Sequence, residues 1–493
     1  MEEKITKKTK IIILCLVLIL TVFLITFDFK NTPRVWVDEG IFTNTAENLA
    51  YNGKWGLQVD PGVSYRLGAQ LTTNYPVIFP VAISFNLFGT GIWQARLPMI
   101  IYMFLFLVFS YLFVKKRYGF YPAILSILLL SSFAPFYGNG RPVQGEIPGL
   151  TFLVLGLLLL LYLEEASFED KRLAIFSGIS LGLAAATKSL YLLLLVVIVP
   201  ATMFFWARKT KNKRNIFLLL IAFFLPVLFW FVINFPTPDL MAKFIPTIIQ
   251  QAGNNGASSL SNTSLSLTET VSVNLVRFVT ESTPILFLIL FVSVIFIFFK
   301  RYFKNNIFDF SISECIICLF IILNWLGYLL GTGWYRYFFP AHILLYLLFP
   351  AAVMMFISAF KNETLKKITT SIIVVLVLFQ LYHLVFLSDT SLVVSRPRNV
   401  ELAKVLSTIP SSKKVLFYNT TEAIVFLKGN NYSQYLTLQD LFEAGDKNSM
   451  HDTSYDFILT ENRAEYLSIF STCYVKKEVV KYLFVQRIPN CKE

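Results

Sequence analysis

The sequence predicts a polytopic α-helical membrane protein carrying a small α/β domain at its C-terminal end. Three observations carry this. Of 493 residues, 56% are hydrophobic and only 15% charged, more apolar surface than a water-soluble fold can cover. The apolar residues come in runs of membrane length. After Leu387 the chain turns polar and the spacing of its apolar residues changes.

The first run, Ile11 to Phe27, follows Lys4, Lys7, Lys8 and Lys10. A signal peptide has this shape, but no small-residue cleavage site follows and many more apolar runs do, so it reads as the first transmembrane helix. Further runs lie at 94–114, 121–138, 147–163, 172–188, 190–206, 216–235, 283–299, 312–331, 338–358 and 368–387. Together they make about 11 spans, each long enough to cross the hydrocarbon core. They must form a helix bundle, because lipid offers backbone polar groups no partner. Pro76 to Phe88 is shorter and holds Pro80 and Asn86, so it reads as an interfacial helix. With that assignment, lysine and arginine are about twice as numerous in the loops on one side as on the other. The richer side is cytoplasmic. This sets a multi-pass cell-membrane protein with its N-terminus cytoplasmic and its C-terminus extracytoplasmic.

Two outer loops are large, 28–93 and 236–282. In the first, Ile41, Phe42, Thr45, Ala46, Leu49 and Ala50 recur at helical spacing, which predicts a helix over 40–51 lying on the membrane. Asn52-Gly53 ends it. The second holds Gly253-Asn254-Asn255-Gly256 and a Ser/Thr-rich run, and reads as a mobile loop between two amphipathic pieces. Residues 1–388 therefore form a transmembrane domain. From 389 to 493, β-like runs at Val415–Tyr418, Asp456–Leu459 and Tyr482–Val485 alternate with helix-like stretches, predicting an extracytoplasmic α/β domain.

The formal net charge of +13 suggests nucleic acid, but the charges punctuate apolar runs as loop charges do, so no nucleic-acid partner is expected. The five cysteines make no metal or disulfide framework. Cys315 and Cys318 read as packing residues, and Cys473 and Cys491 could pair only in an oxidising space. There is no phosphate-binding glycine loop and no soluble inner domain for a nucleotide sugar.

Chemistry-bearing residues gather at the outer face. Asp38 and Glu39 follow the first span. Asp38 can cap the helix beginning near Gly40, and a carboxylate fixed in that way can also take the proton of an attacking hydroxyl. Arg141 and Glu146 share the short loop before the fourth span, where Glu146 can serve as a first-turn acid or as a second carboxylate of a site. Lys188 lies at the turn between spans five and six, and Tyr335 and Arg336 lie in Gly333-Trp334-Tyr335-Arg336-Tyr337. Such cations can be ordinary interface anchors. They fall where the charge bias makes cations scarce, and an anionic lipid head would account for them.

The order of motifs is an Asp-Glu after span one, then Phe88-Gly and Trp93-Gln-Ala-Arg96-Leu-Pro98. An acidic residue before span four follows, then Gly182-Leu-Ala and Thr187-Lys188, then Arg336-Tyr337-Phe-Phe-Pro340. It resembles the GT-C glycosyltransferases of the protein O-mannosyltransferase and aminoarabinose transferase kind (glycosyltransferase family 39-like) over roughly residues 10–360. The resemblance implies a GT-C-like transmembrane domain and an enzyme that moves a sugar from a polyprenyl-phosphate donor, with inversion, to an extracytoplasmic lipid, glycan or protein. Asp38 is then the base, with Glu39 and Glu146 as the other catalytic carboxylates. Lys188, Arg336, Arg141 and Tyr335 are the candidates for holding the donor phosphate. The second acidic position is usually Asp in the family, and here it is Glu146. Zinc is not expected, since His342, His383 and His451 all lie outside the two large outer loops. No cofactor is assigned with certainty, and a divalent cation (Mg or Mn) at the carboxylates is left open. A lipid-linked saccharide flippase is the competing reading, but it needs polar residues in mid-span, and the runs are nearly free of them. A surface-polysaccharide polymerase or ligase is separated poorly by sequence.

Overall fold

In this computed structural model the described residues are 6–65, 72–209, 213–242, 266–304, 311–331, 333–388, 390, 396–435, 455–461, 474–479 and 481–488. The Gly/Asn/Ser-rich stretch of the second loop and both Cys473 and Cys491 lie outside them.

All eleven apolar runs fall on helices, and the protein is a multi-pass membrane protein. Among the described residues seven helices are long and apolar enough to cross a membrane by length and composition, and nine if each of two bent pairs is one span. The seven are α1 (Lys7–Thr26), α4 (Ile92–Tyr118), α7 (Glu146–Glu165), α10 (Lys213–Asn234), Ile312–Leu330, Tyr335–Ala359 and Glu363–Leu387.

The expected run 121–138 is broken. Helix α5 (Phe120–Ser132) stops at Phe133, whose backbone is extended, and α6 (Ala134–Gly140) leaves at a bend of 68°. Pro135 lacks the N–H that a continuous ladder would need. The run 172–188 coincides with one continuous helix, and the turn expected at Lys188 is there, while the run 190–206 begins in a 3-10 turn. Helix α8 (Lys171–Thr187) ends at Lys188, which has φ −148 and ψ 144, and a short 3-10 turn, Ser189–Leu192, leads into α9 (Leu193–Lys209). Each of these two helices has 17 residues. Run 283–299 is the second arm of a pair whose first arm, Leu267–Thr280, meets it at 86°.

The chain divides into two compact units. One comprises residues 1–27, 102–139 and 145–384, and the other residues 28–101, 140–144 and 385–493.

In the first unit α8 packs against both α7 and α10. Its Ala174, Ser177, Gly178, Ser180, Gly182 and Ala184 to Ala186 are small, which lets neighbouring backbones approach. Tyr335–Ala359 is buried continuously from Phe338 to Val353, as a helix hydrophobic all round should be at the centre of a bundle. Glu363–Leu387 and α1 bury little of themselves, 11% and 17% of the spanning window. Several buried polar groups pair across helices. Thr21 meets Ser131 at 3.0 Å, Ser132 donates to Gln380 at 2.8 Å, and Gln380 donates to Tyr346 at 2.7 Å. Glu314 accepts from Arg117 at 2.7 Å and Tyr118 at 2.6 Å.

The second unit holds α2 (Val37–Asn52), the hairpin β1 (Leu57–Asp60) and β2 (Val63–Tyr65), and α3 (Tyr75–Phe88). Helix α3 has 14 residues, about 21 Å at the usual rise and short of a hydrocarbon core. Helix α2 is longer than the expected 40–51. It starts at Val37 because Trp36, with φ −136 and ψ 171, is the N-cap. Asp38 is therefore in the first turn and does not cap the helix, and Gly53 closes the far end in the left-handed region at φ 63.

The C-terminal part of this unit is a five-stranded sheet. Its strands are β3 (Val415–Tyr418), β4 (Tyr432–Tyr435), β5 (Phe457–Glu461), β6 (Tyr474–Val479) and β7 (Tyr482–Arg487), in the order β4-β3-β5-β7-β6. Strand β3 runs parallel to β4 and β5, and β7 antiparallel to β5 and β6. Val415 and Phe417 point to one face with Leu459, Phe484 and the helix residues Leu402 and Leu406; Leu416, Ile458, Leu483 and Val485 point to the other. That is the period of two that strands impose.

Candidate active site

Helix α2 delivers two carboxylates with different fates. A first-turn acid is favoured by the positive end of the helix dipole. Asp38 is partly exposed and Glu39 fully buried. Glu39 is clasped by Arg96, itself 0% exposed: Arg96 Nε donates to Oε1 and a terminal nitrogen to Oε2, both at 2.7 Å. Arg96 also donates to the carbonyls of Phe29 at 2.7 Å and Pro33 at 3.0 Å, and the Val143 N–H reaches Glu39 at 3.3 Å. Arg141 is buried in the same unit and donates to the carbonyl of Thr32 at 3.2 Å. Gln144 beside it is fully buried, and its amide atoms make no hydrogen bond among the described residues, leaving a polar group that a ligand could satisfy.

In the other unit Lys188 and Glu146 form a buried ion pair, at 3% and 0% exposure. The backbone break at Lys188 turns this side chain inward. Tyr191, three residues on, donates its hydroxyl to the Glu146 carbonyl. Glu146 Oε2 has no hydrogen-bond partner among the described residues. Lys188 Nζ stands 5.9 Å from the centre of the Tyr337 ring. The Arg336 guanidinium lies 4.9 Å from that ring and 5.4 Å from Trp334, and donates to the Tyr337 hydroxyl at 3.0 Å. Trp334 and Tyr337 stack 7° from parallel. Glu146, Lys188, Tyr337 and Arg336 thus make one connected cluster. The Tyr335 hydroxyl bonds His342 Nδ1 at 3.0 Å.

Among the described residues no group of three or more His, Cys, Asp or Glu side chains could hold a metal ion. Both Glu39 oxygens face a guanidinium and Glu146 faces an ammonium, so these two carboxylates are already neutralised by cations. No chemical step is assigned to a metal.

Sequence reasoning did not single out Arg96 as a site residue. Its signal was there: an arginine inside the Trp93–Pro98 motif at the head of an apolar helix, where an unpaired cation is costly.

The family profile of the dolichyl-phosphate-mannose-protein mannosyltransferases matches residues 76–230. Among solved structures the chain is similar to ArnT from Cupriavidus metallidurans bound to undecaprenyl phosphate, with 13% identity, 97% of this chain and 98% of that chain covered, and a TM-score of 0.63. It is also similar to the Archaeoglobus fulgidus oligosaccharyltransferase complexed with Zn and sulfate, with 12% identity, coverage of 97% and 74%, and a TM-score of 0.59. A third match is the A. fulgidus oligosaccharyltransferase AglB in complex with an inhibitory peptide and a dolichol-phosphate, at 10% identity, coverage of 98% and 75%, and a TM-score of 0.55. No curated protein matches the chain by sequence. A membrane helix bundle followed by a small C-terminal sheet defines the class, and the chain has the GT-C glycosyltransferase fold.

Proposed function

We propose that this protein is an integral-membrane glycosyltransferase that moves a sugar from a polyprenyl-phosphate donor to an extracytoplasmic lipid, glycan or protein. The observation that carries the reading is the match, end to end on both chains, to a GT-C structure bound to undecaprenyl phosphate. The match of residues 76–230 to a family named for a dolichyl-phosphate-mannose donor supports the same donor class.

In this reading an acceptor hydroxyl attacks the anomeric carbon of the donor. The new C–O bond forms as the bond from that carbon to the phosphate oxygen breaks, and the electron pair leaves with the polyprenyl phosphate. The configuration inverts, and Asp38 takes the hydroxyl proton. Glu39 is held through both oxygens by Arg96, and Asp38 is the partly exposed carboxylate of the pair. Arginine holds phosphate through two parallel bonds and lysine as a point charge; Arg336 and Lys188 supply these, with Arg141 and Tyr335 as further candidates. Glu146 tunes the charge of Lys188. Phosphate is a good leaving group, so a base, cations and alignment suffice.

The lysine and arginine bias supports a cytoplasmic N-terminus, with 28–93 and the C-terminal sheet extracytoplasmic. In the same proposal 1–388 is the catalytic transmembrane domain and 389–493 its appended domain. The test is to incubate purified protein with a panel of polyprenyl-phosphate sugars and follow donor consumption. Consumption of one donor is expected, and consumption of none across the panel contradicts the reading.

A further inference from the structure

The unit that carries Asp38 also contains the C-terminal sheet, and the contacts between the sheet and the N-terminal elements include a set on either side of Asp38. On the N-terminal side, Val35 lies in the sheet's hydrophobic core with Leu402, Leu406 and Phe417. Asn399, on the helix Arg396–Leu406, accepts from the Val35 N–H at 3.1 Å and donates to the carbonyls of Asn31 at 2.7 Å and Pro33 at 3.0 Å. Three chain bonds thus run through one buried amide.

On the other side, Gly40 packs directly on the backbone of Thr421 and Glu422. A Cβ at Gly40 would lie 2.5 Å from the Glu422 nitrogen and Cα, so only glycine permits the approach. One turn further on, Asn44 is saturated. It donates to the Tyr432 hydroxyl and accepts from Gln58 N and Gln434 Nε2, both at 3.1 Å. Gln58 in turn donates to the carbonyl of Asn430 at 2.9 Å. Tyr432, Gln434 and Asn399 are all buried. Buried polar networks with every member satisfied rigidify and specify one geometry.

We propose that the C-terminal sheet is a positioning element that holds the first turn of α2, and with it Asp38, by clamps on both sides of that residue. This rests on the reading of Asp38 as the base. Asn399, Gly40 and Tyr432 are its positioning residues; none of them touches the reacting atoms. A carboxylate misplaced by about 1 Å costs on the order of 10²-fold in rate, so small shifts of α2 are enough to matter.

The experiment uses the full chain with Asn399→Ala, Asn399→Asp, Gly40→Ala and Tyr432→Phe. Two readouts are taken: kcat and donor KM, and amide hydrogen exchange over residues 31–45. The expected result is faster exchange in 31–45 with exchange in α7 and α10 unchanged. It is accompanied by a kcat about tenfold lower or more at unchanged donor KM. Asn399→Asp, which keeps the acceptor for Val35 and loses the donors, recovers part of the rate. Unchanged exchange in 31–45 overturns the clamp, whatever the activity. Faster exchange with parental kcat overturns its role in positioning. Where the parent itself consumes no donor, the transferase reading fails, and exchange still decides the clamp.

Discussion

Glu39 and Arg96, 57 residues apart in the chain, meet in a two-point ion pair with both side chains fully buried. Taking a carboxylate and a guanidinium out of water together is costly, and the pair is tolerated because its hydrogen bonds are filled. Arg96 donates to Phe29 and Pro33 as well as to Glu39. It therefore ties the start of α2 to the segment that leads into it.

Removing one partner leaves the other buried and charged. Glu39→Gln and Arg96→Leu should each lower stability by about 3–5 kcal/mol, and the double variant should lose much less than their sum. Thermal unfolding of the detergent-solubilised protein measures this. Singles within about 0.5 kcal/mol of the parent would place the pair among ordinary surface contacts.

The Lys188 ammonium is offset by the Glu146 carboxylate where both side chains are buried, and charge interactions there are stronger than in bulk water. Glu146→Gln should therefore tighten binding of a non-hydrolysable polyprenyl-phosphate analogue, and Lys188→Ala should weaken it. Shifts of about tenfold correspond to 1.4 kcal/mol each. Equal affinity in both variants and the parent removes the pair from the donor site.

Arg336 lies close to the stacked rings of Trp334 and Tyr337. Arg336→Lys keeps the charge and loses the planar stack and the two-point geometry. Donor affinity should fall severalfold while the choice of acceptor stays the same. A competition assay with two acceptors separates these outcomes.

Glu47, on α2 near Asn44 and Tyr432, titrates abnormally: burial raises its pKa to about 7, and the hydrogen bond from Asn44 works against that rise. An unfolded glutamate titrates near about 4.3. Between these values the folded chain binds the proton and the unfolded chain does not. Its contribution to stability is therefore full below about pH 4.3 and is lost as pH rises through about 7. The unfolding midpoint should fall from about pH 5 to about pH 8, and Glu47→Gln should flatten that fall. Parallel curves for the two proteins would contradict the assignment.

Much of this molecule is legible in its sequence, and the gaps have physical causes. Hydropathy sees composition and not backbone breaks. It therefore ran 121–138 as one unbroken span, where the backbone turns extended at Phe133 and the chain bends by 68°. The strands found from sequence, β3, β5 and β7, are the three interior ones. The two missed, β4 and β6, are the edges of the sheet. Strand β6 carries Lys476, Lys477 and Glu478, the charges that keep an edge from pairing with another chain. Strand β4 reads as polar because Ser433 and Gln434 are buried against Asp60, Gln58 and Asn44. The carboxylates and cations could be picked out by their scarcity at one membrane face. Their partners could not: nothing local marks Asn399 as a ligand of residues some 370 positions away.

The central claim is that Asp38 is the base. Asp38→Asn preserves size and first-turn position and removes the proton acceptor. The deciding measurement is single-turnover sugar transfer by this variant, with affinity for the donor analogue measured on the same preparation. The account predicts transfer slower by about 10²-fold or more with donor affinity unchanged. Transfer at the parental rate, or a loss that follows a matching loss of donor binding, would contradict it.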